Sequence, residues 1–234
     1  MDDAIASRLE TRRWAALQGG TTEFRKMEGI TYSPDHQWLF LAISEVDRGM
    51  RDFGRAGKPS PYAKYDIGGP NHIRLSQSNG CGAVYGLHLD GNYTAVDMFP
   101  VIVGTPMTID FGAAQDSPEY DGINQCDLAG IANPDNITYM PGYQTLIIGE
   151  DTGPGHQNDA LWALKTETGK LTRIQTTPYG AETTSPYVYP NLNGFGYLMS
   201  VVQHPYGESD TEKLEQPDQA LGETGYFLLP AMSN

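Results

Sequence analysis

An internal repeat constrains the fold of this chain more than any other feature of its sequence. Residues 28–41 align without a gap on residues 135–148, and each copy has the pattern of a strand, a proline-containing turn and a second strand. A looser third copy at 182–202 follows the same plan. Three copies of one hairpin predict a β protein made of repeated antiparallel units.

Outer strands extend these hairpins. The predicted outer strands are 84–89 and 93–98 after the first hairpin, 161–165 and 171–176 after the second, and 226–230 alone after the third. Four antiparallel strands per repeat form the blade of a β-propeller. The prediction is an all-β chain of about three four-stranded blades, the third without its fourth strand. Because closed propellers have about four to eight blades, these three form only part of a ring.

The rest of the chain is arranged around the blades. Apolar residues at helical spacing over 4–17 predict one short N-terminal helix. The predicted single domain, 1–234, contains a helical lead-in at 1–23, a blade at 24–104, a blade with a long leading loop at 105–180 and an incomplete blade at 181–234. The connections at 47–79 and 104–132 are rich in Gly, Pro, Ser and Asp, and long loops of this kind often carry functional sites.

The charge balance argues against one large class of partners. The chain has 15 Lys and Arg against 29 Asp and Glu, a net charge of −14, so we expect no nucleic-acid partner. No apolar run approaches the roughly 20 residues of a membrane span, and residues 1–16 are too polar for a signal peptide. Cys81 and Cys126 could form one disulfide bond in an oxidising compartment, but the sequence alone leaves their state open.

Polar side chains fall at matching ends of the three hairpins. The start of the first strand lies beside the end of the second in an antiparallel hairpin, so both positions share one face. They hold Glu28, Asp135 with Asn136, and Glu182 before the first strands, and Glu45 with Asp47, Glu150 with Asp151, and Gln203 with His204 after the second strands. Carboxylates crowded near a propeller axis repel one another unless cations neutralise them, and oxygen ligands favour Ca²⁺ first, then Mg²⁺ or Fe³⁺. The residues alone equally allow these acids to cap turns and line loops.

Aromatic and histidine side chains suggest further roles. Four large aromatic residues of the repeats are expected to pack between blades: Tyr32, Trp38, Tyr139 and Trp162. His156 and His204 stand beside acids on the candidate face, so they are candidates for contact with a substrate.

Five short segments carry a more specific signal through their order and spacing. They are residues 23–30, 133–136, 149–151, 180–183 and 203–205. In this order they resemble the C-terminal half of the PhoX family of alkaline phosphatases, and the resemblance covers about residues 9–204. It implies a six-bladed propeller with an iron and calcium centre at the axis, hydrolysis of phosphate monoesters, and a periplasmic or secreted location.

The resemblance also implies roles for individual residues. Glu28 matches the metal-binding glutamate of the family's Arg-Pro-Glu motif, and Glu150, Asp151 and Glu182 match other acids of the family that we expect to bind metal. Lys26 stands where the family has an arginine that contacts phosphate. A lysine holds phosphate as a point charge, without the two-pronged hydrogen bonding of arginine.

Part of the family pattern has no counterpart in this chain. The family's first half, with the cysteine and glutamate that hold Fe³⁺, does not match, and neither Cys81 nor Cys126 occupies that motif. The implied partners are therefore a phosphomonoester substrate and either a second copy of the chain, through self-association, or a missing N-terminal half.

Three functions fit these observations. The first is a metal-dependent phosphomonoester hydrolase. The second is a calcium-dependent, lactonase-like hydrolase, because propellers with axial carboxylates also serve that chemistry. The third is a non-catalytic propeller half that works as an assembly or binding module, since propellers carry many functions.

Overall fold

The computed structural model describes residues 3–51, 73–107, 124–153, 155–205 and 223–230; in the last range, the side chain of Tyr226 alone is described. Much of the two predicted long connections lies outside these residues. The chain separates into two compact units, Met1–Lys26 with Glu45–Gly80 and Met27–Ser44 with Cys81–Asn234. The predicted boundaries inside a single domain, 1–234, stay predictions.

The N-terminal segment forms two short α-helices, α1 (Asp3–Leu9) and α2 (Thr11–Leu17), where one helix was predicted. The Thr11 hydroxyl donates to the Ser7 carbonyl at 2.7 Å. It therefore takes the acceptor that the Thr11 amide would use in a continuous helix, and the helix breaks at Glu10. No helix in the described part of the chain is long and apolar enough to cross a membrane.

The described residues of the second unit form three antiparallel sheets, which confirms the all-β, propeller-like fold class. The first blade has β1 (Met27–Ser33), β2 (Trp38–Ile43), β3 (Ala83–His88) and β4 (Phe99–Val103). The second has β5 (Pro134–Met140), β6 (Thr145–Glu150), β7 (Ala160–Lys165) and β8 (Leu171–Thr176). The third has β9 (Glu182–Leu192), β10 (Phe195–Gln203) and β11 (Glu223–Pro230), with β10 in the middle.

One outer strand lies later in the sequence than predicted. Residues 93–98 were expected to form the fourth strand of the first blade, but β4 begins at Phe99. The Asp90 carboxylate accepts the amides of Asn92 and Thr94 at 2.8 and 2.9 Å, and Asp97 accepts the His88 amide at 3.2 Å. These side chains occupy backbone groups that a ladder would need, so regular pairing starts only after them.

The blades stack in chain order, each burying one face against the next. Between the first two blades lies a cluster of buried side chains that includes Phe40, Ala42, Val84, Ile137, Tyr139, Leu146, Ile148, Trp162 and Leu164. Between the second and third blades, Met140, Ile147 and Leu161 pack with Leu198 and Val188. Tyr139, Trp162 and Trp38 therefore pack between blades as predicted. Tyr32 does not, because it lies on the opposite face of β1 and is exposed.

Strands of neighbouring blades come into backbone contact at one end of the sheets. A Cβ atom on Gly29 would overlap the Asp135 carbonyl oxygen and lie 2.8 Å from the Ile137 nitrogen, so β1 and β5 are in backbone contact there. A Cβ atom on Gly149 would lie 3.1 Å from Thr183 Oγ1, which brings β6 equally close to β9. Only glycine permits these approaches. The polar residues at these strand ends consequently share one end of the second unit.

A disulfide bond ties the first two blades together. Cys81, just before β3, is bonded to Cys126, which lies in the connection that precedes β5. Both sulfurs are buried. The two cysteines, whose state the sequence alone left open, therefore form a disulfide bond.

Candidate metal centre

Three carboxylates converge where the strands of the second and third blades begin and end. Asp135 is the second residue of β5, Asp151 directly follows β6, and Glu182 opens β9. One ligand oxygen from each lies within 4.8 Å of the other two. Asp135 and Asp151 come together because their neighbours Pro134 and Glu150 are paired across the ladder.

This spacing suits a single hard cation. Two oxygens bound to one Ca²⁺ at about 2.3–2.6 Å lie at most about 5 Å apart, so the three carboxylates could share an ion with little movement. Asp135 and Asp151 are half-buried and Glu182 is buried. The group consists of carboxylates alone, a donor set that favours Ca²⁺ or Mg²⁺ over Zn²⁺.

Neighbouring side chains fix the orientation of two of the acids. Gln203 Nε2 and His204 Nε2 donate to Glu182 Oε2 at 3.1 and 2.8 Å. Asn136 Nδ2 donates to Asp135 Oδ1 at 2.7 Å. His204 therefore holds an acid of the cluster, and its predicted contact with a substrate stays a prediction.

Glu150, which was predicted as a metal ligand, is surrounded by protein donors in this structure. Its side chain is fully buried. Oε1 accepts the Ala132 amide and Trp162 Nε1, both at 2.7 Å, and Oε2 accepts the Ala160 amide at 2.8 Å and His156 Nδ1 at 3.0 Å. Each oxygen thus uses both of its lone pairs on protein donors. Glu150 lies outside the three-acid group and links the segment before β5 to strand β7.

His156 is part of the same buried network. Its Nε2 donates to the Asp127 carbonyl at 3.1 Å, and its Nδ1 faces the Glu150 carboxylate, so both ring nitrogens meet acceptors. Burial alone would lower the pKa of His156, but the hydrogen bond and negative charge of Glu150 outweigh it and raise the pKa. The pair is therefore a buried ion pair, and His156, also predicted as a substrate contact, is enclosed in the protein.

A second carboxyl, that of Asp159, is buried beside the same network. The Thr152 hydroxyl faces two acceptors, the His156 carbonyl at 2.6 Å and Asp159 Oδ1, and donates to them. Asp159 Oδ2 accepts the Thr152 amide at 2.9 Å, so both carboxyl oxygens meet donors of one residue. Burial raises the pKa of Asp159 to about 8, helped by the charges of Glu150 and Asp151.

The two remaining predicted site residues lie outside the three-acid group. Glu28 is the second residue of β1 and is exposed; the next residue, Gly29, packs on Asp135, so Glu28 begins its strand beside the start of β5. Lys26 is exposed, has a φ of 49° and belongs to the first compact unit. Their predicted roles as metal ligand and phosphate contact stay predictions.

One acid of the cluster was absent from the predicted ligand set. The repeat places Asp135 at the position of Glu28, so the signal for Asp135 was present in the sequence. The resemblance indicated Glu150 instead, whose contacts depend on four partners 6 to 18 residues away that the fold brings to it.

The donor chemistry separates the two predicted metals. The three acids fit Ca²⁺. Cys81 and Cys126 are both in the disulfide bond, so neither offers a thiolate to iron. The described residues therefore do not fit the Fe³⁺ site that the resemblance implied.

Comparison with known proteins bears on the fold. No protein-family model matches the sequence, and no curated protein matches it either. Among solved structures, the chain is similar to Pseudomonas fluorescens PhoX in complex with vanadate, a transition state analogue, with a TM-score of 0.61 and 19% identity. The match covers 99% of this chain and 38% of the PhoX chain. At this identity the likeness shows a PhoX-like fold, of which this chain spans somewhat more than a third.

Proposed function

We propose that this chain forms part of a calcium-dependent phosphomonoester hydrolase of the PhoX type. The observation that carries the proposal is the convergence of Asp135, Asp151 and Glu182 at the strand ends of a PhoX-like fold. The solved PhoX structure contains vanadate, a transition-state analogue, which supports phosphoryl transfer as the chemistry of this fold. The substrate would be a phosphate monoester.

The roles of the residues follow from their positions. Asp135, Asp151 and Glu182 would hold the cation, and His204 with Gln203 would keep Glu182 aligned toward it. A bound Ca²⁺ would polarise phosphoryl oxygens and offset the charge that develops on the transferred group. We propose Lys26 as a phosphate contact and Glu28 as an additional metal ligand, since each matches a family position that has that role.

The disulfide bond supports a periplasmic or secreted location. Disulfide bonds persist in oxidising compartments and are rare in the cytosol. The buried Cys81–Cys126 bridge is therefore consistent with the location implied by the PhoX resemblance.

The proposal is tested by p-nitrophenyl phosphate hydrolysis with Ca²⁺ titrated into metal-free protein. We expect turnover that rises with bound Ca²⁺ and is lost on chelation. Asp151→Asn and Glu182→Gln should weaken Ca²⁺ binding by at least about tenfold, because each removes one anionic ligand. Glu167→Gln is the matched control, since this exposed carboxylate in the turn after β7 should leave both quantities unchanged.

The outcomes separate the candidate functions. Hydrolysis that survives both chelation and Glu28→Gln would refute the proposal, and turnover of lactones instead of phosphoesters would favour the lactonase-like alternative. Ca²⁺ binding without turnover would favour the non-catalytic module. That alternative has its own support, because the chain spans 38% of PhoX and its cysteines are unavailable to iron.

A further inference from the structure

We propose that two copies of this chain associate head to tail through the open faces of their first and third blades, closing a ring of six blades. The inference rests on the blades alone and goes beyond the proposed hydrolase activity. Three blades do not close a propeller, whereas six lie within the range of about four to eight that do.

The first open face is a copy of a face that the protein already buries. Ile30, Tyr32, Leu39 and Leu41 correspond in the repeat to Ile137, Tyr139, Leu146 and Ile148. In the second blade those four residues pack against the first blade, and Ile137 and Tyr139 are 8% and 5% exposed. Ile30 and Tyr32 are 61% and 37% exposed. The first blade thus has the surface that receives a preceding blade.

The second open face lies at the other end of the stack. Val188 and Leu198 face the second blade, so their strand neighbours point away from it. The cross-strand partners on this outer face are Tyr187 with Met199, Tyr189 with Tyr197, and Met199 with Tyr226. Tyr187 and Tyr226 are 55% and 63% exposed. This sheet face presents aromatic side chains where the second blade presents Met140 and Ile147 to its successor.

The open face of the first blade and the open face of the third blade match as the two sides of an interface between blades. A second copy of the chain can therefore cover both. The first-blade face resembles the face of the second blade that packs on the blade before it. The third-blade face is on the side where the second blade packs on the blade after it. Neither set contains a charged residue, although Asp, Glu, Lys and Arg make up 19% of the chain. Joining the third blade of one copy to the first blade of another continues the interface that the chain repeats internally. A two-fold axis then creates the joint twice, and the ring closes.

The test is the mass of the full-length chain by sedimentation velocity and light scattering over a micromolar concentration series. We expect a dimer of twice the 25.6 kDa chain mass. Ile30→Lys and Tyr187→Lys place a charge on one face each, at exposed positions where the monomer can solvate it. Each variant should raise the dimer dissociation constant roughly tenfold or more. Leu128→Lys, at an exposed apolar position on neither face, is the control.

Mixing the two variants tests the head-to-tail pairing. Each joint combines the first-blade face of one copy with the third-blade face of the other. An Ile30→Lys chain and a Tyr187→Lys chain can therefore form one unmodified joint together, whereas either variant alone has both joints altered. We expect the equimolar mixture to dimerise more tightly than either variant alone.

Several results would overturn the proposal. A wild-type chain that stays monomeric throughout the series would refute the association of two copies. Dimers that resist both substitutions, or a mixture no tighter than its components, would place the interface elsewhere. Circular dichroism of each variant establishes that it is folded, so that lost association is not mistaken for unfolding.

Discussion

Adjacent acids at the end of β6 should respond in opposite ways to substitution. Glu150 is fully buried with four donors on its two oxygens, whereas Asp151 is half-buried and belongs to the three-acid cluster. Glu150→Gln should therefore destabilise the fold without affecting Ca²⁺ binding. Asp151→Asn should do the reverse.

The structure sets the size of the effect. In Glu150→Gln the new amide group would point N–H bonds at His156 Nδ1 and the Ala160 amide, which are themselves donors. His156 would also lose the charge that holds its imidazolium form. Breaking a buried ion pair by removing one partner costs about 3–5 kcal/mol. That is a large share of the roughly 5–15 kcal/mol that stabilises a typical domain.

Urea unfolding in chelator measures the stability of the fold, and its repetition in saturating Ca²⁺ measures the stabilisation that bound Ca²⁺ adds. In chelator, Glu150→Gln should lose about 3–5 kcal/mol of unfolding free energy, and Asp151→Asn about 1 kcal/mol or less. Calcium at about 100 times the wild-type dissociation constant should stabilise the wild type and Glu150→Gln by about 2.7 kcal/mol, and Asp151→Asn by about 1.4 kcal/mol or less, because its affinity is at least about tenfold lower. A stable Glu150→Gln protein that has lost the calcium response would refute the structural role and restore Glu150 as a ligand.

Three further predictions concern the fold around the site. The folded-state pKa of Asp159, about 8, lies above its unfolded value of 3.8, so the folded state retains a proton that the unfolded chain releases between these values. The stability that this group contributes is complete below about pH 4 and falls as the pH rises toward 8, by up to about 1.4 kcal/mol per pH unit. Asp159→Asn should flatten this slope when the free energy of unfolding is measured at several pH values. An unchanged slope would contradict the raised pKa of Asp159. Replacing Cys81 and Cys126 by serine should cost about 4 kcal/mol, from the chain entropy of a 45-residue separation, and should make the melting temperature insensitive to reductant, unlike that of the wild type. Gly29→Ala should lower the free energy of unfolding by about 1–3 kcal/mol in the same denaturation assay, because the new Cβ atom meets the backbone of β5. A Cβ atom at Gly91 meets nothing within 4 Å, so Gly91→Ala is the control and should be tolerated. Equal effects of the two substitutions would argue against the close approach of β1 and β5.

The repeat in the sequence was sufficient to predict the blades, because alternation and turn residues are local signals. The three hairpins and the lone outer strand of the third blade lie where the pattern placed them. The strand predicted at 93–98 does not form, because the side chains of Asp90 and Asp97 bind backbone amides that strand pairing would have used. Alternation does not reveal such side-chain competition.

The site was predictable only in part. The direction of the strands placed Asp135, Asp151 and Glu182 among the polar residues expected on one face, but it did not single out these three as a group. The role of Glu150 could not be read in this way. Whether a carboxylate meets a cation or protein donors depends on residues such as Trp162 and Ala132, which reach it only after the blade has folded.

A crystal structure of the full chain grown with Ca²⁺ tests the central claim most directly. We expect one bound ion with oxygens of Asp135, Asp151 and Glu182 at about 2.3–2.6 Å, and Glu150 still enclosed by its four donors. An ion bound elsewhere, or three acids that turn away from one another with no ion between them, would contradict the account.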